Sequence, residues 1–185
     1  NVELSSLAKD NYRYRTQVIV HILLVVYVGL TALSTVMLRL AGMNWFDSLC
    51  HAMSACATSG FSTKNASMAF YNNAWIDTVL IFTMGVAGMH FGLIYATVTG
   101  KRNNIFRSEV TRWYMGILLV CSVLIAISLY AADIYPTITA SFRHAAFQFF
   151  SLMTTTGFAS ADSSVWPPFA VILLMFGSIV CAPTP

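Results

Sequence analysis

No Asp, Glu, Lys or Arg occurs between Arg15 and Arg39, and the run VIVHILLVVYVGLTALSTVML inside that interval is long enough to cross a hydrocarbon core, which takes about 20 residues of helix. Such a run belongs in lipid. The composition agrees, with 57% hydrophobic and 9% charged residues, whereas a soluble domain carries roughly a quarter charged. Further charge-free intervals lie between Asp77 and Lys101 and between Arg112 and Asp133, and a fourth opens at Phe169. The apolar stretch from Phe169 to Cys181 falls short of a full crossing, so the last span is expected to be incomplete. Asn1 is not an initiator Met and the residues before Thr16 are polar and charged, so no signal peptide is expected here and the native N-terminus is expected elsewhere.

Two shorter segments constrain function more than the spans do. Ser48 to Thr63 and His144 to Ala161 are also free of Asp, Glu, Lys and Arg, but each ends in Ser, Thr and Gly. The stretches WFDSLCHAMSACA and FRHAAFQFFSLMT predict helices of roughly 20 Å, enough to enter a membrane and too short to leave it. The chain must then turn back. Backbone that is not helical at that depth needs partners for its N–H and C=O groups, so it must lie inside protein or line a watery cavity. A re-entrant segment therefore predicts a pore or a binding vestibule.

The two segments are copies of one unit. Thr58-Ser59-Gly60-Phe61-Ser62-Thr63 aligns without gaps on Thr155-Thr156-Gly157-Phe158-Ala159-Ser160, at an offset of 97 residues. Ser54 falls opposite Ser151, Trp45 opposite Phe142, Asn65 opposite Asp162 and Ser67 opposite Ser164. The expected fold is all-α and integral to the membrane, built of repeated span, re-entrant pore helix, loop and span. Residues 1–15 read as a cytoplasmic segment, 16–100 as the first repeat with pore helix and filter at about 45–63, and 101–112 as a cytoplasmic linker. The second repeat then takes 113–185, with its pore helix and filter at about 140–160.

The residue types suit a dehydrated cation. Backbone carbonyls, helped by Thr and Ser hydroxyls, can replace the hydration shell of potassium. The candidate ion-binding residues are Thr58, Ser59 and Gly60 in one loop and Thr155, Thr156 and Gly157 in the other. Glycine tolerates the backbone angles such a turn demands. Phe61 and Phe158 are expected to pack behind the loops as support, and Asp162 is the best-placed carboxylate for an outer mouth, with Asp47 and Asp133 as weaker candidates. The order T-x-G-[FY] echoes the TVGYG of potassium channels but offers one glycine per copy, which predicts a shorter filter with looser discrimination.

Charge sets the expected orientation. Lys9, Arg13, Arg15, Lys101, Arg102, Arg107 and Arg112 lie on one side of the spans, against Arg39, Lys64 and Arg143 on the other, so the first group marks the cytoplasm and both loops enter from the outer face. The ten Lys and Arg form no dense basic stripe, which excludes nucleic acid as a partner.

The stretches GMNWFDSLCHAMSACATSGFSTKNASM and FRHAAFQFFSLMTTTGFASADSSVWPPF together resemble the second and third of four repeats of the Trk/Ktr/HKT superfamily of potassium transporters, closest to the TrkH type. The resemblance covers nearly the whole chain. It implies uptake of potassium, or of potassium and sodium, by the membrane subunit of a Trk-type system in a bacterial-type inner membrane. It also implies a homodimer, a cytoplasmic nucleotide-binding regulatory subunit of the TrkA or KtrA type, K+ as the transported ion and no organic cofactor in this chain. In the family the last span continues into a Gly-Ser-rich stretch that gates the pore; here the chain reads SIVCAPTP, so no gating residue is assigned.

The remaining features have plainer readings. His21, His51, His90 and His144 share no ligand spacing and read as packing or pore-helix surface, with His51 and His144 nearest the vestibule. Gly85, Gly88 and Gly92 have the small-residue spacing of close helix packing. Cys50, Cys56, Cys121 and Cys181 show neither a disulfide framework nor metal spacing. A secondary transporter of another small solute with broken helices is the alternative function, and it predicts charged or aromatic groups converging at the breaks. An enzyme is not expected, because no Ser-His pair or paired aspartates stand out within the spans.

Overall fold

The computed structural model describes residues 2–89 and 109–180. His90, Gly92, Lys101, Arg102, Arg107 and Cys181, the later part of the expected second span, most of the expected 101–112 linker and the last five residues lie outside the described residues. The architecture is all-α. Its helices are α1 (Val2–Leu40), α2 (Trp45–Cys56), α3 (Ala74–Ala87), α4 (Glu109–Ala131), α5 (Ile138–Met153) and α6 (Pro168–Val180), with 3-10 turns at Ser67–Phe70 and Ser163–Val165.

Length sorts these helices by role. Val20–Leu40 within α1 and Thr111–Ala131 within α4 are long and apolar enough to cross a membrane. Only 22% and 28% of their apolar windows are buried, so these helices turn most of their Val, Leu and Ile side chains outward, as lipid-facing helices do. By contrast, α2 with 12 residues and α5 with 16 span about 18 and 24 Å, less than a hydrocarbon core of about 30 Å. Local sequence fixes where both begin. Asn44 caps α2 by accepting from Asp47 N, and Thr137 caps α5 by accepting from Ala140 N. The Thr137 cap starts α5 four residues before the Phe142 expected from the sequence, because Ile138 to Ser141 carry no breaker.

Packing repeats as the sequence does. In the first unit α1, α2 and α3 all touch one another; in the second, α4, α5 and α6 do the same. The units meet where α3 lies against α5. One core runs through both, including Leu38, Ala52, Leu80, Met84, Phe147 and Phe149. Inside the first unit a buried hydrogen bond of 2.9 Å joins Ser34 Oγ on α1 to Thr83 Oγ1 on α3. Small residues allow the close approaches. A Cβ on Gly85 would stand 3.1 Å from Phe150 Cε1, and one on Gly88 would strike Tyr114 Oη.

Candidate functional site

The chain leaves both short helices in the same way. After α2, Ser59 N donates to Ser54 O at 3.0 Å and Thr58 N to Ala55 O at 3.3 Å. After α5, Thr156 N donates to Ser151 O at 2.9 Å and Thr155 N to Leu152 O at 3.0 Å. These are the paired 6→1 and 5→2 bonds of a Schellman stop, each around one left-handed residue, Thr58 (φ 48°) and Thr155 (φ 56°). Two residues on, Gly60 (φ 70°) and Gly157 (φ 84°) are left-handed too. The 97-residue offset of the sequence is thus an offset of backbone conformation.

This conformation divides donors from acceptors. The N–H groups of Thr58, Ser59, Thr155, Thr156 and Gly157 are spent on helix carbonyls. Among the described residues, the carbonyls of Thr58, Ser59, Gly60, Thr155, Thr156 and Gly157 accept no hydrogen bond. Lone pairs on these oxygens are free for a cation. Both short helices point their C-terminal ends, where the macrodipole is negative, into the loops.

The loops also touch each other. A Cβ on Gly60 would run into the carbonyl oxygen of Thr156, so Gly60 is the residue that lets the two loops meet. Ala69 N donates to Ala159 O at 3.1 Å and Ala159 N to Ser67 Oγ at 3.2 Å, closing the contact. A Cβ on Gly157 meets nothing within 4 Å among the described residues.

Behind each loop stands a polar side-chain pair one helical turn apart. On α2, Asp47 is 3% exposed, with Oδ1 accepting from Thr63 Oγ1 at 2.6 Å and Oδ2 from Tyr71 Oη at 2.8 Å and Asn44 Nδ2 at 2.9 Å. Lys64 Nζ lies 3.3 Å from the same carboxylate. The Thr63 and Tyr71 hydroxyls, with Lys64, hold the Asp47 carboxyl down at about 2. Burial beside that carboxylate pushes Tyr71 up to about 12. His51 is fully buried; its Nδ1–H donates to Asp47 O at 2.7 Å, which leaves Nε2 of the neutral ring to accept from Ser62 Oγ at 2.8 Å.

On α5 the same positions, 97 residues on, are His144 and Gln148. Arg143 Nη2 donates to His144 Nε2 at 3.0 Å, so the ring's hydrogen sits on Nδ1 and points at Ser160 Oγ, 3.3 Å away. Gln148 Nε2 donates to Ala161 O at 2.6 Å. Ser151 Oγ donates to Phe158 O at 2.7 Å.

Several expectations change here. Of the two expected support residues, Phe158 is buried and Phe61 is 80% exposed among the described residues. Asp47, a weaker outer-mouth candidate by sequence, is buried and four-coordinate in hydrogen bonds and ion pair. Asp162 stays exposed and caps the turn at Ser163–Val165 by accepting from Ser164 N, and the Ser164 hydroxyl, followed by that N–H, holds its carboxyl below the usual range. His51 and His144 are ring-to-loop ties rather than bare packing groups. Sequence reasoning missed Asp47, His51, His144 and Gln148 as loop partners; extending the 97-residue alignment upstream to the pore helices would have paired them.

A family model described as TrkH, cation transport protein, matches residues 3–184. The chain is 29% identical over 180 residues to the Trk system potassium uptake protein TrkH of Salmonella typhimurium, covering 96% of this chain and 37% of that protein. It is 32% identical over 156 residues to the corresponding TrkH of Halomonas elongata, covering 84% of this chain and 32% of that one. The crystal structure of the potassium transporter TrkH from Vibrio parahaemolyticus superposes with a TM-score of 0.79 at 28% identity, over 84% of this chain and 34% of that chain. The chain therefore spans little more than a third of the length of these relatives.

Proposed function

Because the chain belongs to the TrkH family of cation transport proteins, we propose that its two Gly-centred loops form part of a potassium-selective pore. Thr58, Ser59, Gly60, Thr155, Thr156 and Gly157 contribute the ion-coordinating oxygens, and Phe158 supports the second loop. The observation that carries this reading is the set of carbonyls in the two touching loops that accept no hydrogen bond from any described residue. A potassium ion exchanges water for such carbonyls at little cost in protein hydrogen bonds. The reading extends to repeats over 16–100 and 113–185, a bacterial inner membrane, loops entered from the outer face, and Asp162 near the outer mouth. It further includes a homodimer and a cytoplasmic nucleotide-binding regulator of the TrkA or KtrA type, by the family's pattern. Transport of an ion fits a site lined with free carbonyl acceptors, and the proposal assigns no chemistry on a substrate.

The test is growth and ion uptake in cells lacking potassium uptake, complemented by the complete gene. Gly60→Ala and Gly157→Ala, at matched membrane abundance, are expected to lower potassium uptake or admit more sodium. The two differ in cause. A methyl at either position strains a left-handed backbone by about 1 kcal/mol, whereas at Gly60 it also displaces the Thr156 carbonyl of the other loop. Gly60→Ala is therefore the more damaging. Wild-type uptake and ion preference in both variants would remove the filter assignment.

A further inference from the structure

We infer that Asp47 with His51 on α2, and His144 with Gln148 on α5, are positioning residues that set how far each loop stands from its helix and thereby tune ion preference. The inference rests on the filter reading above and adds to it the side chains that hold the loops in place. No residue of either pair belongs to the proposed ion path.

The geometry repeats with the backbone. Asp47 and His51 lie one helical turn apart on the same face of α2, and so do His144 and Gln148 on α5. In each unit the first member reaches the hydroxyl residue sixteen positions on: Asp47 to Thr63 at 2.6 Å, His144 to Ser160 at 3.3 Å. The second member reaches the adjoining part of the loop: His51 to Ser62 at 2.8 Å, Gln148 to the Ala161 carbonyl at 2.6 Å. Both contacts fall two to four residues after the central glycine, so they fix where the loop goes as it leaves the site. The helix end fixes the other side through its Schellman bonds. A loop held at both ends has little freedom to widen or shrink around a smaller ion.

The chemistry differs between the units, and this asymmetry makes the inference sharp. Asp47 adds Tyr71, Asn44 and Lys64 to its hold on Thr63, so the first brace is charge-assisted and ties three segments together. The second is made of neutral groups, with Arg143 beside His144 as the one adjoining charge on α5. Charge-assisted hydrogen bonds are roughly twice as strong as neutral ones. The first loop is accordingly the stiffer of the two, and ion preference depends more on Asp47 than on His144.

The experiment uses the full-length transporter, with potassium and sodium uptake measured side by side at matched membrane abundance. Asp47→Asn and Thr63→Val are each expected to raise sodium uptake relative to potassium by about threefold or more, with the double variant short of the sum of the two because both weaken the Asp47–Thr63 contact. Thr63→Ser keeps the hydroxyl and keeps the wild-type ratio. His144→Ala and Gln148→Leu shift the ratio less. A helix-capping role for Asp47 would change abundance and thermal stability while leaving the ratio untouched, and that result overturns the inference. Should Asp47→Asn fail to accumulate, Thr63→Val decides alone, since it deletes one hydroxyl from an exposed residue. Gly60→Ala separates the two levels. An altered ratio there with unaltered ratios in Asp47→Asn and Thr63→Val sinks the brace and spares the filter, whereas wild-type behaviour in both Gly60→Ala and Gly157→Ala sinks the filter itself.

Discussion

Threonine is a poor residue for the left-handed region, because its branched Cβ crowds the backbone there, yet Thr58 (φ 48°) and Thr155 (φ 56°) both occupy it. Glycine is the usual residue at this position of a Schellman stop. Strain kept twice, at equivalent places, points to a use for the threonine itself. Replacing Thr155 by Gly relieves about 1–2 kcal/mol of left-handed strain and gives back part of it as unfolded-chain entropy, so the protein should gain up to about 1 kcal/mol of stability. Ion preference should fall at the same time, because the loop loses the residue that holds its turn to one conformation. Thermal unfolding of the purified full-length protein, paired with the uptake ratio, checks both; a gain in stability with an unchanged ratio would leave the strain without a function.

At the level of the helix, glycines that look alike in sequence are not alike in surroundings. Gly177 lies in a stretch whose apolar run predicts only modest packing cost for a methyl group, but a Cβ there would stand 2.7 Å from Phe149 Cε2. Phe149 is fully buried, so its ring has nowhere to go. Gly177→Ala should destabilise the contact of α6 with α5 by about 1–3 kcal/mol. Gly116 on α4 meets nothing within 4 Å among the described residues, and Ala there should be neutral or stabilise by up to about 1 kcal/mol through helix propensity. Membrane abundance and melting temperature of the two variants test the contrast. Gly116→Ala is therefore the proper control for substitutions at Gly60 and Gly157, and Gly177→Ala is not.

At the scale of the whole molecule, an ion pair among the described residues spans the junction of the units. Arg143 on α5 has Nε 3.6 Å from Asp77 Oδ2 at the start of α3, and Nη2 3.4 Å from Asn72 Oδ1 in the first unit. Asp77 is buried, with its side chain 3% exposed, while that of Arg143 is 25% exposed. Removing the arginine leaves a buried carboxylate without its partner, a loss of about 3 kcal/mol. Arg143→Met should therefore lower the melting temperature of the full-length protein, and adding Asp77→Asn should recover most of the loss. Equal melting temperatures for Arg143→Met and wild type would mean that this ion pair adds nothing to the apolar and loop contacts that hold the units together.

What could be read from the sequence follows from two periodic signals. Charge-free runs of about 20 apolar residues place membrane-crossing helices at Val20–Leu40 and Thr111–Ala131, since such a run has few other stable fates. An ungapped 97-residue offset carries the backbone conformation with it, so Gly60 and Gly157 pair in the sequence as turn residues, while the left-handed Thr58 and Thr155 are shown by the structure alone. Other features depend on which surfaces meet. Phe61 and Phe158 are the same residue at the same place in the repeat, but only Phe158 lies under other elements of this chain, so one is buried and one exposed. Gly60 and Gly157 share a conformation, but only Gly60 faces the neighbouring loop. Asp47 reads as a candidate outer-mouth acid until Tyr71 and Thr63, distant in sequence, fold over it and supply the hydrogen bonds that make its burial tolerable. Local periodicity specifies each unit on its own; the differences between equivalent residues arise from neighbours that only the packed chain brings together.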